Sequence, residues 1–287
     1  MQGLCHFQSF PGVRKVRNTM IYETLKVGNA EFQTYINSNK SDLEEASGRP
    51  FIIICPGGGY KDLSSYEGES VAIRFCSLGF NTGVLKYSRA PSRFPTALAE
   101  LSEAVALVRK SHREWNTDKD KIAVMGFSAG GHLSGSLLTM WHEDFLDEVS
   151  HTTAEERRPN AGVLCYPVIT SGEYAHRGSF NNLLGPSPTK EELEMVSLEL
   201  RVSKNVPPTF IWHTFTDITV PVENSLLFAS ALRREKIPAA LHIFREGEHG
   251  LALADKDSRC IKHPKENHEV ENWVPLASSF LNEVLKT

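Results

Sequence analysis

The segment Gly126-Phe127-Ser128-Ala129-Gly130-Gly131 carries the sharpest chemical signal in the chain. A Gly-x-Ser-x-Gly string is weak alone, since chance produces it often in a chain of ordinary composition. Here an apolar, strand-like run (122–125, IAVM) feeds into it, and a helical pattern (132–140, HLSGSLLTM) leads out. In that setting a sharp strand-to-helix turn lifts the serine hydroxyl into the open at the carboxyl end of a sheet. Gly126 and Gly130 take away side chains that would clash at such a turn. The alternative role for the string is a Gly/Ser-rich helix cap without chemistry. A serine nucleophile needs a base, and the base needs an orienting group.

Eleven histidines compete for the role of base. His249 lies in a Gly-flanked loop directly after the strand-like AALHIFR (239–245), so the expected sheet order brings it to the edge that holds Ser128. His132 and His142 fall on or beyond the helix that follows Ser128 and are expected to point away. His242 is inside a strand, and His263 and His268 fall in a polar loop. His213 ends a strand but shares its segment with the best acid. That acid is Asp217, four residues further on and just before a helix start; a carboxylate there can hold the tautomer of a histidine ring, or simply cap the helix. Glu223 is the second choice. For the oxyanion, Cys55-Pro56-Gly57-Gly58-Gly59-Tyr60 follows an apolar strand, and its glycines let backbone N–H groups approach a substrate oxygen. The expected donors are the N–H of Gly58 or Gly59 and that of Ala129. No His/Cys/Asp cluster has metal-ligand spacing, so neither a metal nor a cofactor is expected.

The elements that must position these groups follow from periodicity. A hairpin is predicted over 21–27 and 30–36, turning at Gly28-Asn29, and a fully buried strand over 51–55 (FIIIC). Further strands are predicted over 82–87, 121–127, 162–168, 208–214 and 239–245. Helices are predicted around 67–78, 96–109, 222–236 and 273–286, besides the one that opens near Ser128. Strands alternating with helices predict an α/β fold with a mainly parallel sheet covered on both faces. The irregular stretches at about 142–160 and 169–205 read as cap insertions in one domain spanning 20–287, with residues 1–19 a loosely held extension.

Composition sets the outer limits. The chain has 287 residues, 40% hydrophobic and 23% charged, with a formal net charge of −4. That is too apolar for a disordered chain and lacks the basic footprint of nucleic-acid binding. No apolar run is long enough to span a membrane. Five widely spaced cysteines without a C-x-x-C pair read as buried thiols, and the basic cluster near the start follows the apolar residues instead of preceding them. Both features predict a cytoplasmic protein. A homo-oligomer is left open.

The strings CPGGGY, LKYSRAPSRFPTALAEL, KIAVMGFSAGGHL, YPVITSGEYAHRGSFNNLLG and PPTFIWHTFTDITVPVENSLLFASALR…EHGL resemble the bacterial acetyl-xylan-esterase-like α/β-hydrolases from about Met20 onward. The resemblance implies an α/β-hydrolase fold with Ser128, Asp217 and His249 as a triad, in the chain order that fold uses. It implies a serine esterase that removes small acyl groups, acetate first, from carbohydrates such as acetylated xylo-oligosaccharides. A serine amide hydrolase, aminopeptidase-like or arylformamidase, is the alternative. The HGGG pattern of related lipases stands here as Pro56-Gly57-Gly58-Gly59, a change that leaves backbone donors intact. Glu173, His176 and Arg177, in the expected cap, are candidate sugar contacts or else cap-holding groups. Tyr60, Trp141 and Trp212 are candidate stacking residues or else core.

Overall fold

Ile52 and Ile54 belong to one apolar layer and Ile53 and Cys55 to another, as the two-residue period of a strand requires. Both layers are dry because helices cover both faces. The computed structural model describes residues 20–37, 48–258 and 266–287. The expected extension over 1–19, together with Cys5, Cys260 and His263, lies outside the described residues.

Eight strands form one sheet. They are β1 (Ile21–Val27), β2 (Ala30–Ile36), β3 (Arg49–Cys55), β4 (Asn81–Lys86), β5 (Thr117–Phe127), β6 (Ala161–Cys165), β7 (Thr209–Thr214) and β8 (Ala239–Phe244). Their order is β1-β2-β4-β3-β5-β6-β7-β8. The hairpin β1–β2 joins β4 antiparallel, and every pair from β4 to β8 is parallel. The carboxyl ends of β3, β5, β6, β7 and β8 therefore lie along one edge, where an α/β sheet places its ligands.

The principal helices are α1 (Glu69–Ser77), α2 (Thr96–Lys110), α3 (Ala129–Met140), α4 (Phe145–Ser150), α5 (Ala154–Arg157), α6 (Arg177–Leu184), α7 (Lys190–Met195), α8 (Glu223–Arg234) and α9 (Trp273–Val284). Leu98, Leu101, Val105 and Val108 of α2, Leu133 and Leu137 of α3, and Phe228 and Leu232 of α8 fill one layer. Val71 and Phe75 of α1 and Trp273, Val274, Ala277 and Leu281 of α9 fill the other. These are the three-and-four spacings that periodicity picks out.

Two expectations shift. The strand expected over 162–168 stops at Cys165, because Tyr166 takes φ 37° and Pro167 has no N–H for a ladder. The freed chain bends toward the serine instead: Ser128 N–H donates to Cys165 O, and Val168 N–H donates to Ser128 O. The helix expected from residue 67 begins at Glu69, leaving Glu67 in a short 3₁₀ turn (Ser65–Glu67).

The stretch 142–160 carries α4 and α5, drawn together by the buried guanidinium of Arg157. It donates to Trp141 O, Glu143 O, Thr152 O and the Asp147 carboxylate. The stretch 169–205 carries α6 and α7 and passes over the carboxyl edge of the sheet.

The turn between β5 and α3 has no spare volume. A Cβ on Gly126 would sit 2.0 Å from Gly130 O and 2.6 Å from Ser134 Oγ. Gly126→Ala is expected to lower stability by roughly 2–3 kcal/mol, since the obstacle is backbone and cannot rotate away. Urea unfolding of the two proteins side by side measures it.

Candidate active site

Ser128 follows β5 with φ 53° and ψ −118°, a backbone conformation that costs a non-glycine residue about 1–3 kcal/mol. Gly130 makes the other half of the turn: a Cβ there would lie 2.1 Å from Cys55 O. Strand β3, which leads to the glycine run, is thus packed directly against the turn that carries the serine.

His249, in the loop after β8, points its Nε2 at Ser128 Oγ across 2.8 Å. Its Nδ1 lies 2.6 Å from Asp217 Oδ2. A carboxylate can only accept, so Nδ1 carries the proton and Nε2 is left bare to accept from the serine hydroxyl. Asp217, in the loop after β7, is wholly enclosed as a side chain. Burial alone would push its carboxyl up. The ring N–H groups of His213 and His249, the charge on His249 and the Val220 N–H outweigh burial and hold it well below the usual carboxylate range. Its Oδ1 takes the N–H groups of Thr219 and Val220 at 2.9 and 3.0 Å. The arrangement can move a proton off Ser128 while keeping the charge it creates on His249 paired.

His213 is a second ring on the same carboxylate. Its Nε2 faces Val220 O at 2.9 Å and Asp217 Oδ2 at 3.2 Å, both acceptors, so Nε2 carries the hydrogen and Nδ1 accepts from Ser225 Oγ at 2.8 Å. The sequence shows His213 at a strand end, but its spacing to Asp217 does not separate an anchor from a bystander. Glu223, the second-choice acid, opens α8 and makes no bond to His249.

The glycine run is held by its carbonyls. Tyr87 Oη donates to Pro56 O, Ser64 N–H to Gly57 O, Asp62 N–H to Gly58 O, and Asn182 Nδ2 to Gly59 O. Among the described residues, the N–H groups of Gly58, Gly59 and Ala129 donate to no acceptor. Gly58 and Gly59 line the same cleft as Ser128 and His249, a cavity of about 1540 Å³. Gly58 has φ 125°, and a Cβ there would meet Asp62 O at 2.1 Å, so only glycine fits.

The candidate substrate contacts divide. His176 lines the cleft near Ser128 and His249, with Nδ1 2.8 Å from Ser179 Oγ. Burial, and then the charge on His249, lower its pKa and favour the neutral ring. Tyr60 is corrected: it is 3% exposed, and its hydroxyl bonds to His132 Nδ1 at 2.9 Å. A buried phenol needs a polar partner, and the helix after Ser128 supplies one. Burial pushes His132 down to about 4, so the ring stays neutral, donating from Nε2 to Val196 O and accepting from Tyr60 at Nδ1. Arg177 is also corrected: its guanidinium donates to Ser171 O and Gly172 O and fastens the cap loop. Glu173 is exposed and outside the cleft lining. Trp212 is fully buried, and Trp141 bonds to Asn205 O away from the cleft.

Two groups beside the cleft carry no signal that sequence spacing reveals. Glu67 sits in an ordinary-looking helix approach, and Tyr166 sits inside what reads as a strand. Both are buried, and the Tyr166 ring meets His249 edge-on, centroids 5.0 Å apart.

Residues 40–232 match the BD-FAE family model. Among curated relatives, endo-1,4-beta-xylanase B of Butyrivibrio fibrisolvens is 43% identical over 213 residues, 73% of this chain and 33% of that protein. The acetylxylan esterase of Xylanibacter ruminicola is 32% identical over 216 residues, 73% of this chain and 42% of that protein. The chain thus spans a third to two-fifths of the length of these two relatives. Among solved structures, the acetyl ester-xyloside bifunctional hydrolase from Caldicellulosiruptor lactoaceticus superposes with a TM-score of 0.74 at 35% identity, covering 93% of this chain and 97% of that one. The carboxylesterase Cest-2923 from Lactobacillus plantarum WCFS1 gives 0.81 at 28% identity, covering 92% and 97%.

Asp217→Asn is expected to slow fluorophosphonate labelling of Ser128 on the order of 10³-fold, because an amide can present the wrong group to His249 Nδ1. Labelling rates under pseudo-first-order conditions give the value. His132 makes a separate prediction for stability. Its folded pKa lies below its unfolded one, so the unfolded chain binds the extra proton and stability falls as pH drops from about 6.5 to about 4. The loss expected from this residue is about 3 kcal/mol. Urea unfolding across that range should show a shallower pH slope in His132→Gln.

Proposed function

The chain belongs to the BD-FAE family of acetyl-xylan-esterase-like α/β-hydrolases, and from that premise we propose that it is a serine carboxylesterase releasing acetate from acetylated carbohydrates, xylo-oligosaccharides among them. The observation that carries the reading is the unbroken line Ser128 Oγ–His249–Asp217, at 2.8 and 2.6 Å, opening on a cleft beside unused backbone N–H groups.

Each group then has a role. His249 Nε2 takes the hydroxyl proton as Ser128 Oγ bonds to the ester carbonyl carbon. The carbonyl oxygen, now negative, is received by the N–H groups of Gly58 or Gly59 and of Ala129, donors worth on the order of 10²–10³ in rate each. The C–O bond to the sugar breaks, and His249 returns the proton to the departing oxygen. Water repeats the sequence on the acyl-enzyme and frees Ser128. Asp217 keeps His249 in the reactive tautomer and pairs its transient charge, and His213 keeps Asp217 in place. His176 is proposed as a sugar or leaving-group contact, supported by its position in the cleft.

Small acyl groups are favoured by the names borne by the relatives, one an acetylxylan esterase and one an acetyl ester-xyloside hydrolase. Among the described residues, no helix is long and apolar enough to cross a membrane. Cytoplasmic residence is proposed on the three free, buried thiols Cys55, Cys76 and Cys165.

Acetate release from acetylated xylo-oligosaccharides and simple acetyl esters, set beside butyrate, peptide and formyl-anilide substrates, tests this reading. Acetyl esters are expected to turn over fastest, and Ser128→Ala to lose at least about 10³ in kcat. Retained esterase activity in Ser128→Ala defeats the assignment, and preference for the peptide or the formyl-anilide defeats the ester specificity.

A further inference from the structure

One carboxylate beside the cleft takes no part in the proton transfers among Ser128, His249 and Asp217. We infer that Glu67 is a positioning residue that locks the oxyanion loop and the wall behind His249 into a single register. The inference rests on the reading of Ser128 as nucleophile.

Glu67 is 1% exposed, at the end of the 3₁₀ turn before α1. Its two oxygens are divided between two different walls of the site. Oε2 accepts the N–H of Gly57, the first glycine after β3, at 2.7 Å. Oε1 accepts the hydroxyl of Tyr166, the residue after β6, at 2.7 Å. The Tyr166 oxygen in turn accepts the N–H of Ala252, three residues past His249, at 3.0 Å. The tyrosine ring lies edge-on to the His249 ring. One side chain thus ties together the ends of β3 and β6 and the histidine loop, segments that no ladder bond joins at this height.

The choice of amide matters as much as the bond. Gly57 spends its N–H on Glu67, so the loop is fixed one residue before Gly58 and Gly59, which line the cleft with Ser128. A Cβ on Gly57 would come within 2.7 Å of Glu67 Oε2 and 2.9 Å of Phe127 O, so the contact demands glycine. The Gly57 amide can only donate, so Oε2 must stay a bare acceptor, whereas the Tyr166 hydroxyl donates to Oε1 and can turn to accept when the group opposite it carries a hydrogen. Burial pushes the carboxyl up, and the Tyr166 hydroxyl and the Gly57 N–H pull it back.

A buried carboxylate that only supported the fold would change melting temperature and leave turnover alone. A positioning residue changes kcat. The test uses the full chain and an acetyl ester, with Glu67→Ala, Glu67→Gln, Tyr166→Phe and the Glu67→Ala/Tyr166→Phe double variant. Glu67→Ala is expected to lose about 100-fold in kcat, the scale of one misplaced oxyanion donor, with KM within about threefold of wild type. Glu67→Gln is expected to regain at least about tenfold, because its amide oxygen can take the Gly57 N–H while its NH₂ donates to Tyr166. Tyr166→Phe is expected to lose about tenfold, and the double variant to be no worse than Glu67→Ala, as one connected unit requires. Wild-type kcat in Glu67→Ala, a loss confined to KM or melting temperature, or additive losses in the double variant would overturn the inference. If Glu67→Ala does not fold, Tyr166→Phe decides alone, with unchanged kcat overturning it. Fluorophosphonate titration of the wild type separates the two readings: an unlabelled wild type sinks the esterase assignment itself, whereas a labelled wild type with an unaffected Glu67→Ala sinks only the role of Glu67.

Discussion

Ser128 is held at a positive φ, and the turn around it is built to keep it there. The unfavourable backbone is enclosed by Gly126 on one side and Gly130 on the other, each in contact with backbone that cannot yield. The end of β6 adds two hydrogen bonds across the same residue. Strain of about 1–3 kcal/mol is tolerable when the surroundings leave one conformation open. The hydroxyl then stands clear of the sheet, at the amino end of α3, where a negative oxygen is favoured.

The charges around this turn are arranged by one rule: a buried carboxylate is surrounded by donors. Asp217 has two backbone N–H groups on one oxygen and two histidine rings on the other. Glu67 has a backbone amide and a tyrosine hydroxyl. The difference is in what the donors do. On Asp217 one donor is the His249 ring that also reaches Ser128 Oγ; on Glu67 both belong to walls of the cleft. The outcome in pKa follows: several donors, one of them a ring that becomes charged, hold Asp217 down, whereas burial prevails at Glu67 and leaves its carboxyl raised.

The cap shows why polar residues in a candidate site are hard to sort by type. Arg177 and Tyr60 have the side chains a sugar site needs, yet both spend their polar atoms on the protein itself. Arg177 is close enough to its own loop to satisfy two carbonyls, and Tyr60 is turned inward by a backbone at φ 56°. His176, next to the exposed Arg177 and on the same loop, reaches the cleft. Neither hydropathy nor spacing distinguishes these neighbours; only the path of the loop does.

The sequence by itself determined the strand–turn–helix around Ser128, the alternation of strands and helices, and a short set of candidates for base and acid. Those signals are local, because periodicity, glycine at a sharp turn and a polar residue just past a strand act over a few residues. Tertiary structure decided everything that depends on contact across the chain. The bond from His249 to Ser128 joins residues 121 apart, and that from Tyr166 to Glu67 joins residues 99 apart. His213 as second support for Asp217, Glu67 as a tie between two loops, and Tyr60 as core instead of substrate contact all belong to this second class. The reason is physical: a hydrogen bond requires the right neighbour within about 3 Å, and strand order, not sequence distance, sets which loops become neighbours along the carboxyl edge.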